Sequence, residues 1–225
     1  MIERPARSRL IPVLLVLSLA PACHQHLSGS GFLGTYADMK PGRTLEAQSH
    51  LPGLRFDGRA SLAVQPVRPY LLVLGSGASV ERLGDVFQAA LVREIGRSAL
   101  YDRVIENHAL MPPAGTVYLL DAVITEIETG QSEESLRPGG PAPQARRISV
   151  EGKIAEVRSG RTVFKFKDTH ASAPGAGRGS GEADPEARLE RDLEGIARDV
   201  ADSLGAIRAA AHKLPAPAAA PAEKR

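Results

Sequence analysis

The stretch VYLLDAVITEI, Val117–Ile127, decides the fold of this chain. Its centre is apolar at consecutive positions, which is typical of a strand that is buried on both faces. We therefore predict a long central strand, and the neighbouring elements must supply the rest of a sheet. Asp121 is the one charge inside its apolar centre.

A hairpin follows the central strand. Apolar and polar residues alternate in its first strand, and the apolar set is Ile148, Val150, Gly152 and Ile154. A two-residue loop would place Ile154 opposite Lys165 and mix the two faces. A three-residue loop, Arg158–Gly160, places Ile154 opposite Phe164 instead and puts Gly160 at the left-handed position. The same register places Gly152 opposite Phe166. We predict the three-residue loop.

Two amphipathic helices flank these strands. Upstream, Pro69–Leu74 predicts a short buried strand that leads through Gly75-Ser76-Gly77 to a helix with Ser79 at its N-cap. Its apolar stripe is Val80, Leu83, Phe87, Leu91 and Ile95. Tyr101–Ile105 predicts a further edge strand.

The last helix begins at Asp184-Pro185 and ends near Ala211. Its stripe is Leu189, Leu193, Ile196, Val200, Leu204 and Ile207.

Since each helix is apolar on one side, both can cover one face of a sheet. The predicted class is α+β, with a four- to five-stranded mixed sheet and two amphipathic helices packed on one face. Polar loops rich in Gly and Pro are expected at Gly130–Arg146 and Ala171–Asp184.

The N-terminus has the features of a bacterial lipoprotein signal. A basic region with Arg4, Arg7 and Arg9 precedes the apolar stretch Leu10–Ala20, which is shorter than the roughly 20 residues that a membrane-spanning helix needs. Leu19-Ala20-Pro21-Ala22 then leads directly to Cys23, the only cysteine of the chain. We predict lipidation of Cys23. The alternative is plain secretion, which leaves an unexplained free thiol in an oxidising compartment.

These features divide the chain into four parts. Residues 1–22 are the predicted signal peptide, and 23–53 are a lipidated tether with a packed segment, Phe32–Tyr36. Residues 54–212 form the α+β periplasmic domain, and 213–225 are a disordered Ala/Pro tail. His24 follows the cysteine where an Asp would retain an enteric-type lipoprotein at the inner membrane. The expected location is thus the outer membrane of a Gram-negative cell, facing the periplasm and anchored by palmitate-type acyl chains.

Composition excludes several classes of function. The chain carries 28 Lys and Arg against 26 Asp and Glu, and removal of the signal peptide takes away three Arg and one Glu, which leaves 25 of each. This balance argues against nucleic-acid binding. No cysteine remains for a disulfide or a thiolate metal site, and the absence of tryptophan disfavours a carbohydrate-stacking groove.

Candidate chemical sites are few. Gly75-x-Gly77 between a strand and a helix is similar to a phosphate-binding turn, although a tight turn explains it more simply. Asp168-x-His170 offers two potential metal ligands but has no second cluster in sequence. The other histidines, scattered along the chain, are His24, His26, His50, His108 and His212. Asp121 is a possible functional acid. We predict no catalytic, cofactor or metal site.

The residues after Cys23 resemble a known family. Ser30-Gly31-Phe32-Leu33, Tyr36 and Lys40-Pro41-Gly42 resemble the uncharacterised lipoproteins called domain of unknown function 3313. The element order is similar to the small α+β domain of the TolB N-terminal region and of the curli secretion lipoproteins. The resemblance implies a bacterial envelope lipoprotein and brings no known activity.

The leading functional hypothesis is a non-enzymatic envelope lipoprotein whose domain binds partners or self-assembles. The alternative is a small-ligand-binding protein or hydrolase with a site at the strand-end loops near Gly75 and Asp121. A plain structural lipoprotein is the third hypothesis.

Overall fold

A computed structural model describes residues 29–52, 54, 59–70, 73–74, 80–106, 115–128, 146–172 and 185–213. These residues form eight strands and two helices. In chain order they are β1 (Ala47–His50), β2 (Ser61–Val64), β3 (Arg68–Pro69), β4 (Val73–Leu74), α1 (Val80–Arg97), β5 (Arg103–Ile105), β6 (Val117–Glu128), β7 (Arg146–Glu156), β8 (Thr162–Ser172) and α2 (Pro185–Lys213).

One mixed sheet contains all the strands, in the order β1-β8-β7-β6-β2-β5. The long strand β6 lies inside it, as predicted, with β7 antiparallel on one side. Along its other edge β2, β3 and β4 pair with it one after another, all parallel. The α+β class is confirmed.

The predicted count of four to five strands was too low. The chain upstream of α1 forms three short segments on one edge of β6, where the sequence indicated one strand at Pro69–Leu74. In addition, Ala47–His50, which the sequence analysis assigned to the tether, is edge strand β1 and pairs antiparallel with β8. Its short, mixed sequence AQSH carries no alternation that would have identified it. The strand predicted at Tyr101–Ile105 begins only at Arg103.

Both helices pack on one face of the sheet and against each other. α1 lies near β2, β3 and β5, and α2 lies near β7 and β8. Leu83, Phe87, Leu91 and Ile95 of α1 share one core with the stripe residues of α2 and with apolar residues of the strands. Its sheet side includes Leu62, Leu120, Ala122, Ile124, Ile127, Ile148, Val150, Ile154, Phe164 and Phe166. A β-bulge at Thr125 keeps both Ile124 and Ile127 on this face.

The hairpin confirms the predicted faces and corrects the predicted turn. Ile154 lies opposite Phe164, and Gly160 has a φ of 67°. The next pair, however, is Ala155 with Thr162, because a β-bulge interrupts the register there. The backbone N–H of Glu156 donates to the Arg161 carbonyl at 3.0 Å, so four residues form the turn instead of three.

Several predicted features lie outside the described residues. These are the signal peptide with Cys23, the turn Gly75–Ser79, most of the two polar loops and the C-terminal tail. Neither described helix has the length and apolar character needed to cross a membrane.

Candidate functional sites on the two faces of the sheet

The face of the sheet opposite the helices is lined by charged side chains. Across the central strands, Asp121 lies opposite Lys153 and Glu151 lies opposite Lys167. Lys165 lies beside them on β8, opposite Lys153. Opposite charges on facing positions stabilise a strand pair. Yet Glu151 is only 1% exposed and Lys165 only 8%, so something must cover this face.

The cover is a stretch that we call the N-terminal segment, Ser30–Asp38. Glu151 accepts three hydrogen bonds from it: from the Ser30 backbone N–H at 3.1 Å, the Ser30 hydroxyl at 2.8 Å and the Tyr36 hydroxyl at 2.6 Å. Burial, together with the bond to Glu151, raises the pKa of Tyr36. The Tyr36 hydroxyl also accepts the N–H of Gly31 at 3.0 Å. Glu151 thus organises this segment around one buried carboxylate.

Two lysines hold the same segment. The Lys165 ammonium donates to the Thr35 carbonyl at 3.0 Å and to the Asp38 carboxylate at 2.6 Å. Lys153 places its ammonium 4.7 Å from the centre of the Phe32 ring, a cation–π geometry. A small apolar cluster completes the contact and consists of Leu33, Met39 and Ala47, with Phe32 and Tyr36 packed against it.

The Lys165–Asp38 pair gives a pH-dependent prediction. The hydrogen bond from Lys165 lowers the pKa of Asp38, so the pair stabilises the fold above the ordinary Asp pKa. This contribution is lost as the pH falls through the folded-state pKa. Because the Asp38 side chain is 52% exposed, it should stay below about 1 kcal/mol. In Lys165→Met, a carbon-detected NMR titration should show the Asp38 pKa rising toward its usual value. Lys40→Met, at an exposed lysine, should leave it unchanged.

On the helix side of the sheet, three ionisable side chains meet between β8 and α2. His170 Nε2 lies 3.3 Å from Asp199 Oδ2 and 3.7 Å from Asp168 Oδ2. The sequence had indicated Asp168 and His170 as a pair without a further cluster, and the fold brings Asp199 of α2 to them. Of the residues that the structure describes, these three form the one group of this kind whose potential ligand atoms all lie within 4.8 Å of one another.

Asp168 is the buried member of this cluster, at 4% exposure. Its Oδ1 accepts the Glu46 backbone N–H at 3.0 Å, while Oδ2 lacks a hydrogen-bond partner among the described residues. Burial raises the pKa of Asp168, and the bond from Glu46 opposes this shift. His170 and Asp199 are partly exposed, so the cluster can be reached from solvent.

Gly195 of α2 makes room for the imidazole. A Cβ at this position would lie 2.7 Å from Cε1 of His170, which is closer than side-chain packing allows. The absence of a side chain on Gly195 therefore lets His170 lie against the helix that carries Asp199.

The other sites considered from sequence receive little support. Asp121 is half-buried on the polar face beside Lys153, and Gly75 and Cys23 lie outside the described residues.

Sequence reasoning missed Glu151, because an acidic residue between Val150 and Gly152 is typical of a strand position that faces solvent. It also missed Asp199, whose only signal is its place three residues after Ile196, at the border of the α2 stripe.

Comparison with known proteins yields similar folds only. Neither a family model nor a curated protein matches the chain, so the resemblance to domain of unknown function 3313 is not confirmed. Among solved structures, a PelC dodecamer from Paraburkholderia phytofirmans is 15% identical with a TM-score of 0.46, covering 70% of this chain and 94% of that one.

Two further structures have comparable coverage. A Xanthomonas campestris protein described as DUF330 is 16% identical with a TM-score of 0.43, covering 72% of this chain and 93% of that one. A minor lipoprotein from Acinetobacter baumannii is 14% identical with a TM-score of 0.36, covering 66% and 94%. The solved structures that this chain is similar to thus include lipoproteins and proteins without a described function.

Proposed function

We propose that this chain is a non-enzymatic lipoprotein of the bacterial envelope, anchored by acyl chains on Cys23 and displaying its α+β domain on the periplasmic side of the outer membrane. The single observation that carries the proposal is the position of Cys23 at the end of a signal-like stretch. Two or three acyl chains would hold the protein stably, at about 0.8 kcal/mol per buried CH₂.

The described residues support a defined role for the chain just after the anchor. Ser30 is bonded to the buried Glu151 through both its backbone N–H and its hydroxyl. The chain therefore leaves the folded domain on its polar sheet face, seven residues after Cys23. In an anchored protein this contact would fix which face of the domain lies nearest the membrane.

Replacing Cys23 by serine tests the anchor. Wild-type protein expressed in a Gram-negative host should incorporate labelled palmitate and sediment with outer membranes, whereas Cys23→Ser should take up no label and leave the membrane fraction. Ser28→Ala, near the same terminus, is the matched control and should behave like wild type. A wild-type protein that remains unlabelled would contradict the proposal.

The proposed activity of the domain is binding to envelope proteins or to further copies of this chain. The sheet is open, with β1 and β5 at its ends, and strand edges can pair with other chains. Crosslinking in intact envelopes, combined with light scattering of the purified protein, should show a specific complex or an oligomer. A protein that stays monomeric and uncrosslinked would rule out this part of the proposal.

A further inference from the structure

We infer that Asp168, His170 and Asp199 form a binding site for a divalent transition-metal ion of the zinc type. The ligand set is one imidazole nitrogen and two carboxylate oxygens, and two of the three residues, His170 and Asp199, are partly exposed to solvent. Zinc accepts these donors in sites with three protein ligands. A set containing imidazole suits such ions better than Mg²⁺ or Ca²⁺, which prefer oxygen donors alone.

Two of the three distances between the ligand atoms fit the ion. Zinc lies roughly 2.0–2.2 Å from nitrogen and oxygen ligands, so two ligand atoms of a tetrahedral site are about 3.3–3.6 Å apart. His170 Nε2 is 3.3 Å from Asp199 Oδ2 and 3.7 Å from Asp168 Oδ2. All three potential ligand atoms lie within 4.8 Å of one another, so side-chain adjustments would bring them into coordination.

Asp168 supplies an independent argument. Its side chain is only 6% exposed, and its Oδ2 is directed toward His170 Nε2 at a distance too long for a hydrogen bond. A buried carboxylate oxygen without a hydrogen-bond partner is costly, and a bound cation would satisfy it. The other oxygen is held by the Glu46 N–H, the kind of outer contact that orients a metal ligand.

Occupancy would link three parts of the fold. Asp168 and His170 belong to β8, and Asp199 belongs to α2. Thr44, just before β1, donates its hydroxyl to the Asp199 carbonyl at 2.9 Å. An ion that binds only the folded state raises the stability of that state. The bound ion would therefore stabilise the packing of the sheet, the long helix α2 and the chain that enters β1.

Calorimetric titration of the full mature protein with Zn²⁺ tests the inference. One ion per chain is expected, and Co²⁺ should give the visible absorption bands of a tetrahedral site. Asp168→Asn and Asp199→Asn should each weaken Zn²⁺ binding by at least about 10- to 100-fold. Circular dichroism and a thermal melt of each metal-free variant would show that it is folded. Asp199→Asn, at a partly exposed position, serves if Asp168→Asn fails to fold.

Three control variants separate this site from other histidines and from damage to α2. His24→Ala/His26→Ala removes the histidines near Cys23 and should leave affinity unchanged, as should His50→Ala. Gly195→Ala should weaken binding because its methyl group displaces His170, whereas Gly205→Ala on the same helix meets nothing within 4 Å and should not. Absence of Zn²⁺ binding by the wild type, or binding lost only with His24 and His26, would overturn the inference.

Discussion

Replacing Phe166 with alanine is expected to lower the free energy of unfolding by about 3–5 kcal/mol, because a buried aromatic ring is lost and a cavity remains. Phe166 is fully buried on β8 and stacks with Phe164 at 5.9 Å between ring centres. Its ring covers Gly152 on β7, and a Cβ on Gly152 would lie 2.3 Å from the nearest ring atoms of Phe166. Since Gly152 has no side chain that could move into the space, the cost should fall at the upper end of this range.

Urea denaturation followed by far-ultraviolet circular dichroism measures this loss. Val157→Ala is the matched control, because Val157 lies in the same hairpin but is 44% exposed. Its effect should remain within about 0.5 kcal/mol. A loss below about 1 kcal/mol for Phe166→Ala would mean that the ring is not part of the core as described.

The central strand, both helices and the faces of the hairpin were predictable from the sequence because each depends on a periodic apolar pattern. The Pro185 start of α2 and the left-handed Gly160 follow from local backbone chemistry. The sequence analysis missed β1 and β2, since each has only four residues and gains its stability from pairing with a long neighbour.

The candidate sites depend on contacts between residues far apart in the chain. Glu151 and Ser30 are separated by 121 positions, and Asp168 meets Asp199 only because α2 folds back over β8. Such contacts leave no pattern in the sequence around either residue. The aromatic residues Phe32 and Tyr36 were informative because large apolar side chains in a polar stretch indicate that the stretch is covered, although they did not indicate by what.

Replacing Glu151 with alanine is expected to detach the N-terminal segment from the sheet while the two-helix core remains folded. The change removes the one acceptor that is shared by the Ser30 N–H, the Ser30 hydroxyl and the Tyr36 hydroxyl. Hydrogen bonds to a charged group contribute about 1.5–3 kcal/mol each, so their combined loss should exceed what the two lysines and the small apolar cluster still provide. The N-terminal segment should therefore separate from the sheet at a much lower free-energy cost than unfolding of the whole domain.

Hydrogen exchange read by mass spectrometry on peptides that cover Ser30–Asp38 measures the detachment. In Glu151→Ala these peptides should lose their protection, and peptides from α2 should keep theirs. Glu156→Ala is the matched control on β7, since its carboxylate is bonded to Ser159 in the turn and not to the N-terminal segment. Tyr36→Phe, which removes one of the three donors, should give an intermediate loss. Unchanged protection in Glu151→Ala would show that the apolar cluster and the lysines hold the segment without the carboxylate.

The result bears directly on the proposed anchor. With the segment docked, the chain from Cys23 to Ser30 spans at most about 25 Å, at roughly 3.3–3.6 Å per extended residue. With Glu151 replaced, the next firm attachment is Lys40, whose backbone pairs with that of Gln48 in β1. The reach from Cys23 then grows to about 60 Å on the same scale. A lipid-anchored Glu151→Ala protein should thus crosslink to partners farther from the membrane than the wild type does, with its palmitate label unchanged. The buried carboxylate would in this way set how far the domain stands from its anchor.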